Sequence, residues 1–82
     1  MPALAPIAPR LLKRILELAG YECVAENTSC WMLVSEMHPA IVPKIGDVVA
    51  LEIMDSLLNG AKMDNRTYFE YLAQAKIDCG LP

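Results

Sequence analysis

Aromatic residues, histidine and long hydrophobic runs are all scarce in this sequence. Among 82 residues there are one Trp, one Phe, three Tyr and one His. The single histidine, His38, cannot form a histidine cluster, and the acids are scattered along the chain, so we expect no metal site. No apolar run approaches the roughly 18–20 residues that span a bilayer as a helix, and we therefore expect no membrane partner.

Basic residues are also few. The chain has seven Lys and Arg against ten Asp and Glu, which gives a net charge of −3. A protein that depends on phosphate contacts normally shows the opposite balance, so nucleic acid is not the expected partner. One early helix is a local exception, because it carries Arg10, Lys13 and Arg14 close together. We interpret these bases as a solvated helix face, with phosphate contact as the alternative.

Motifs that carry known chemistry are missing too. The sequence contains no phosphate-binding glycine loop, no nucleophile elbow and no Cys-x-x-Cys pair. Its three cysteines, Cys23, Cys30 and Cys79, do not follow a zinc-site spacing, and we expect free thiols in a reducing compartment, the cytoplasm. We therefore predict a protein with no catalytic residues, no cofactor and no metal.

Apolar side chains, by contrast, are abundant. Hydrophobic residues make up 55% of the chain, against roughly 45–50% in average globular proteins. Three prolines within residues 1–9 predict an extended N-terminal arm, and we expect residues 10–82 to form a single domain. A partner protein or a second copy of the chain would make use of the apolar excess.

The order of predicted elements is helix, three strands, helix, helix. Pro9 opens the first helix, and residues 40–45 form a third strand that lies at a sheet edge because Pro43 cannot donate to a ladder. Asp47 is expected to cap the second helix, which should be largely buried or shared with a partner, and Asp64 to cap the third. This order predicts an α+β fold, a two-layer α-β-β-β-α-α sandwich. Its helices would pack on one face of a three-stranded antiparallel sheet and leave the other face open.

The hairpin formed by residues 21–26 and 30–35 is the most informative segment. Closing it through Asn27-Thr28 would pair Ala25 with Cys30 and Cys23 with Met32. That register places one set of side chains on the core face: Tyr21, Cys23, Ala25, Cys30, Met32 and Val34. It turns the other set toward solvent: Glu22, Val24, Glu26, Trp31, Leu33 and Ser35.

Large apolar groups exposed among acids are typical of a contact surface for another protein. We predict that this surface includes an aromatic residue of the last helix and consists of Trp31, Leu33, Val24, Glu22, Glu26 and Tyr71. A homodimer joined through open sheet faces or edges would use the same surface. The alternative is a one-residue slip of the register or an element that covers this face, and either would make Trp31 part of the core.

A framework of apolar and turn residues runs through roughly residues 11–58: Leu12, Ile15, Leu18-Ala19-Gly20-Tyr21, Asn27-Thr28-Ser29-Cys30-Trp31-Met32-Leu33, Ile41-Val42-Pro43 and a helix that begins near Val48. In this framework the chain resembles the HicA-type toxin family, small α-β-β-β-α proteins whose fold is similar to double-stranded RNA-binding domains. The resemblance implies that fold, and an activity that cuts messenger RNA with a histidine on the second strand. The family's Gly-Ser-His run corresponds to Thr28, Ser29 and Cys30, so a cysteine stands where the family has its histidine.

A thiol with a reference pKa of about 8.5 transfers protons near neutral pH less readily than imidazole does. Our first hypothesis is therefore a non-enzymatic protein-binding module, an inhibitor, antagonist or adaptor of the kind that phages and mobile elements encode. The alternatives are a divergent HicA-like endoribonuclease that uses Cys30 or His38, and a nucleic-acid binder that does not cleave.

Overall fold

The computed structural model describes residues 4–36 and 38–80 of the chain. Its elements are α1 (Pro9–Leu18), β1 (Glu22–Glu26), β2 (Cys30–Ser35), β3 (His38–Pro43), α2 (Leu51–Gly60) and α3 (Asn65–Asp78). The predicted α+β fold and element order are confirmed, with one antiparallel sheet in the order β1-β2-β3. Residues 1–3 of the predicted arm, Met37 of the predicted turn and residues 81–82 of the predicted domain lie outside the described residues.

α1 forms where apolar residues recur at helical spacing behind a proline. Pro9 lies in the first turn, where its missing N–H costs nothing, and the helix buries one stripe made of Leu11, Leu12, Ile15 and Leu16. Gly20 then adopts a φ of 105°, and the Tyr21 N–H donates to the Leu16 carbonyl over 3.0 Å. This left-handed stop turns the chain directly from α1 into β1.

The described part of the N-terminal arm is anchored to the rest of the fold. Leu4 and Ile7 are half-buried and pack against the core. The Ile7 carbonyl accepts a hydrogen bond from the Val49 backbone N–H over 2.8 Å. The arm therefore ties the start of the chain to the segment that precedes α2.

The core lies between the helices and one face of the sheet. Its fully buried side chains come from every layer, each no more than 1% exposed: Leu12, Ile15, Leu16, Leu33, Val42, Val49, Met54, Tyr68 and Ala75. α1 contacts α3 and β3, and α2 contacts β3. The helices thus form one layer over the sheet, as the element order predicted.

α2 differs from the prediction in its start and in its burial. Asp47 does not cap it; Ala50 occupies the N-cap position and makes no side-chain hydrogen bond there. Val49 is drawn into the core at 1% exposure and its N–H is held by the arm, which keeps the preceding residues out of the helix. Only Met54 and Leu58 of α2 are buried, so the first alternative, a largely buried helix, was wrong, and a helix shared with a partner stays a prediction.

The other two predicted boundaries agree more closely. β3 is an edge strand, as Pro43 indicated, although it begins at His38 rather than at residue 40. Asp64 caps α3 as predicted, since its Oδ1 accepts the Thr67 backbone N–H over 2.8 Å.

The turn between β1 and β2 sets a register different from the predicted one. Asn27 Oδ1 accepts the backbone N–H groups of Ser29, at 2.7 Å, and Cys30, at 2.9 Å. The side chain of Asn27 therefore opens a four-residue turn, with two residues between Asn27 and Cys30. As a result Ala25 pairs with Met32 and not with Cys30.

A β-bulge at Val24 changes the register again farther along β1. Beyond it Cys23 pairs with Leu33 instead of Met32. Because the extra residue reverses the alternation of side chains, Glu22 and Glu26 fall on opposite faces of the sheet and not on one face as predicted.

The two faces of β2 are the reverse of those predicted. Leu33 is 0% exposed and Trp31 is half-buried against the core, whereas Met32 and Val34 are exposed at 39% and 36%. Both faces of β2 are apolar, so the alternation in its sequence does not decide between them. The pairing with β3 does, because the β3 residues opposite Leu33 and Trp31 are themselves buried beneath the helices.

Candidate functional site

The face of the sheet that points away from the helices is built from rows of paired side chains. One row joins Ala25, Met32 and Ile41; the next joins Glu22, Val34 and Pro39; the third places Cys30 opposite Pro43. We refer to these eight residues as the open face. Glu22 is its only carboxylate and stands at one corner, so most of the surface presented to water is apolar.

The apolar side chains of the open face are well exposed. Ile41 is 55% exposed, and Val24, at the bulge beside the open face, is also 55% exposed. With Met32 and Val34 they form neighbouring apolar groups in place of the polar residues that normally line the wet side of an antiparallel sheet. Contiguous apolar surface of this kind marks an interaction site.

An apolar groove continues the open face past the edge of the sheet. It lies between β3 and α2 and has a volume of about 430 Å³. Its lining is mostly apolar and consists of Pro39, Ala40, Ile41, Glu52, Ile53, Ser56 and Leu57. Pro39 and Ile41 belong both to the groove and to the open face, so the two surfaces form one continuous site.

The outer edge of β3 is poor in hydrogen-bond donors. The Lys44 N–H donates to the Ser29 carbonyl over 2.8 Å, and since antiparallel pairs alternate, residues 39, 41 and 43 direct their backbone groups away from β2. Two of these are Pro39 and Pro43, which leaves the N–H of Ile41 as the single donor among the three. The edge of β1 is interrupted by its bulge. Both edges therefore resist the addition of another strand.

Trp31 and Leu33 lie on the helical side and cannot form the predicted contact surface. The Trp31 ring lies beneath two lysines, with the Lys44 Nζ 4.9 Å and the Lys13 Nζ 5.6 Å from its centroid. Such cations over an indole face are attractive contacts. Lys44 also hydrogen bonds Glu26, which lowers the pKa of that carboxyl. Trp31 and Glu26 are thus both engaged by Lys44 at the margin of the helical side.

The remaining predicted contact residues are divided between the two sides of the molecule. Glu22 and Val24 are exposed on or beside the open face. Tyr71 is half-buried in the helical layer, where it packs against the core and lines a depression with Met63 and Thr67. Of the predicted set, only Glu22 and Val24 are therefore placed to join a site on the open face.

Four exposed apolar groups were not predicted as such: Met32, Val34, Ile41 and Ile53. One signal was present in the sequence. Pro39 and Pro43 flank Ile41 at alternate positions on an edge strand.

The residues considered for catalysis are not brought together. Cys30 on β2 pairs with Pro43, and His38 on β3 pairs with Ser35. The two residues therefore lie at opposite ends of the β2–β3 pair, roughly 16 Å apart along the strands. The bulge also puts Cys23 on the face opposite Cys30. Across residues 4–36 and 38–80, no group of three or more His, Cys, Asp or Glu side chains could hold a metal ion.

Bases are absent from the segments that form the sheet and α2. Residues 15–43 and 45–61 contain no Lys or Arg. Four acids make ion pairs with bases, namely Glu17, Glu26, Glu70 and Asp78, and Asp64 is used as a cap. The other five acids make no ion pair with a described residue: Glu22, Glu36, Asp47, Glu52 and Asp55. They belong to the sheet, to the turn between β2 and β3, and to α2 with the segment before it.

The three bases of α1 are largely neutralised within the fold. Lys13 pairs with Glu17 at 3.2 Å, and the Arg14 Nε donates to Asp78 over 2.8 Å. Arg10 is exposed at the start of the helix. The structure thus places two of these three bases in ion pairs.

Comparison with known proteins gave no relative. A scan against protein-family models found no match, and searches of curated proteins and of solved structures found no significant match. The resemblance to the HicA-type family therefore stays a prediction. Within the described residues, none of the helices has the length and apolar character that a membrane crossing requires.

Proposed function

We propose that this protein is a non-enzymatic binding module that acts by occupying the surface of another protein, in the manner of an inhibitor, antagonist or adaptor. The observation that supports the proposal is the uncovered apolar side of the sheet, where Met32, Val34 and Ile41 form adjacent rows. Burying such side chains against a partner removes apolar area from water, which favours association.

The size of the surface indicates that the groove takes part. Three strands of about six residues cover roughly 300 Å², given a strand spacing near 4.8 Å and a rise near 3.3 Å per residue. A stable protein interface buries about 800 Å² on each partner. The open face alone is therefore too small, and the neighbouring groove with the exposed Leu51 and Ile53 of α2 supplies further apolar surface.

A protein partner fits the electrostatics better than nucleic acid does. Five acids make no ion pair with a described residue, among them Glu22 on the open face and Glu52 in the groove, whereas phosphate binding requires clustered bases. Lys13, Arg14 and Lys44 are already paired with carboxylates. The donor-poor edge of β3 opposes a homodimer joined edge to edge.

Capture experiments with matched variants test the proposal. The immobilised protein should retain a discrete partner from the native host, and the double change Met32→Ser, Ile41→Ser should abolish that capture. Ile77→Ser is the control, because Ile77 is 70% exposed on α3, outside the open face. Thermal unfolding of all three proteins checks that each is folded.

Two outcomes would contradict the proposal. One is capture that survives the double change or is lost equally with Ile77→Ser. The other is cleavage of messenger RNA by the purified protein that disappears in Cys30→Ala or His38→Ala, which would favour the endoribonuclease. The expected results are intact RNA and capture that depends on Met32 and Ile41.

A further inference from the structure

Resting on the proposed function, we infer that the groove between β3 and α2 receives an amphipathic helix of the partner, whose apolar stripe is flanked by Lys or Arg. The groove is bounded by a strand on one side and a helix on the other, and it exposes Ile41 and Ile53 to the incoming segment. The lining is mostly apolar and includes one carboxylate, Glu52, so the groove can bind such a stripe with a base beside it.

The backbone of β3 decides between a helix and a strand as the occupant. An added strand must exchange N–H and carbonyl hydrogen bonds with the free edge. Pro39 and Pro43 remove two of the three donors that this edge could offer. A helix satisfies its own backbone hydrogen bonds and needs only side-chain contacts. The edge therefore disfavours a bound strand and leaves the groove available to a helix.

The charge at the groove determines which kind of helix can bind there. Glu52 lines the groove and has no cationic partner among the described residues. No base occurs between Lys44 and Lys62. A helix with Lys or Arg beside its apolar stripe would place opposite charge against this carboxylate, whereas a second copy of α2 or an anionic lipid surface would meet like charge.

Synthetic peptides test the inference directly. The first probe is an 18-residue Leu/Lys peptide with leucines at helical spacing. The second replaces every Lys by Glu, and the third has the Leu/Lys composition rearranged to the alternating pattern of a strand. We expect the first peptide to bind at least tenfold more tightly than either of the others, measured by fluorescence anisotropy.

Variants of the groove locate the binding. Ile53→Ser should lower the affinity for the Leu/Lys helix at least tenfold. Glu52→Gln should lower this affinity several-fold and make it less dependent on salt concentration. The controls Ile77→Ser and Glu70→Gln alter an exposed apolar residue and an exposed acid of α3, and should change the affinity less than twofold. Equal binding of the strand-pattern peptide, or equal losses in the control variants, would overturn the inference.

Failure of this inference and failure of the proposed function give different results. If natural capture is lost in Met32→Ser, Ile41→Ser but unchanged in Ile53→Ser and in Glu52→Gln, the open face binds a partner and the helix-in-groove assignment is wrong. If capture is unchanged by the substitutions at all four positions, both the inference and the proposed function are wrong.

Discussion

The two faces of the three-stranded sheet are built from similar apolar side chains and yet have opposite surroundings. On one face Leu33 is completely buried beneath the helices, and on the other its neighbour Met32 is 39% exposed. The difference does not come from hydrophobicity, since both residues are large and apolar. It comes from register and pairing, which determine the face that the helices cover. The apolar excess of the composition is therefore concentrated on one side of the molecule.

The largest expected effect is a difference in stability between substitutions on the two faces of the sheet. Leu33→Ala should lower the free energy of unfolding by about 2–5 kcal/mol, because the side chain is fully buried and its removal leaves a cavity in the core. Met32→Ala should lower it by less than about 1 kcal/mol, because the side chain is already in contact with water. Urea unfolding monitored by circular dichroism measures both values. Similar losses in the two variants would mean that the faces are not distinguished as described.

A smaller effect is expected at the margin of the covered face. Trp31→Ala should lower the free energy of unfolding by about 2 kcal/mol, since the indole is half-buried and two lysine ammonium groups lie over its ring. If Trp31 faced solvent, as the sequence analysis predicted, the melting temperature would not change. Thermal unfolding distinguishes these results, and Lys44→Met should show a fraction of the same loss through the removed cation–π contact and the removed ion pair with Glu26.

The smallest effect concerns acid sensitivity, which arises on the helical side. The Thr67 backbone N–H lowers the pKa of Asp64, and Gln74 with Arg14 lowers that of Asp78. A carboxyl whose pKa is lower in the folded state stabilises the fold above its unfolded pKa near 4. That contribution is lost as the pH falls through the folded pKa. The melting temperature should therefore decline from about pH 5 to about pH 2.

Two variants test whether the Asp64 cap contributes to this decline in melting temperature. Asp64→Asn keeps a capping side chain but cannot titrate, so its melting temperature should fall less steeply with acid than that of the native protein. Asp55→Asn changes an acid with neither an ion pair nor a cap among the described residues, and it should follow the native curve. Parallel curves for Asp64→Asn and the native protein would show that the cap does not contribute.

The sequence predicted the elements of this fold better than it predicted the site. Pro9, Pro43 and Asp64 act through the neighbouring backbone, and each placed a boundary or an edge correctly. The orientation of Trp31 depends on a non-local fact, the pairing of β2 with buried residues of β3. Period-two alternation cannot reveal this pairing when both faces of a strand are apolar.

The start of α2 was missed for a related reason. Asp47 has the chemistry of a cap, but tertiary packing took precedence, because Val49 is buried and its N–H bonds the arm. An open sheet face with exposed apolar residues was predicted, but most of the residues assigned to it were wrong. Glu22 and Val24 remain on it or beside it, and Met32, Val34 and Ile41 replace Trp31 and Leu33.

The bulge at Val24 has a consequence for how one short strand distributes its charge. With the extra residue, a five-residue segment places one carboxylate on each face of the sheet: Glu26 bonds Lys44 on the helical side, and Glu22 stands on the open face. A regular ladder that kept Val24 and paired it with Leu33 would leave all ten acids in place and yet turn Glu22 inward toward the helices. The chain would keep its net charge of −3 and lose the corner charge that an incoming protein could meet.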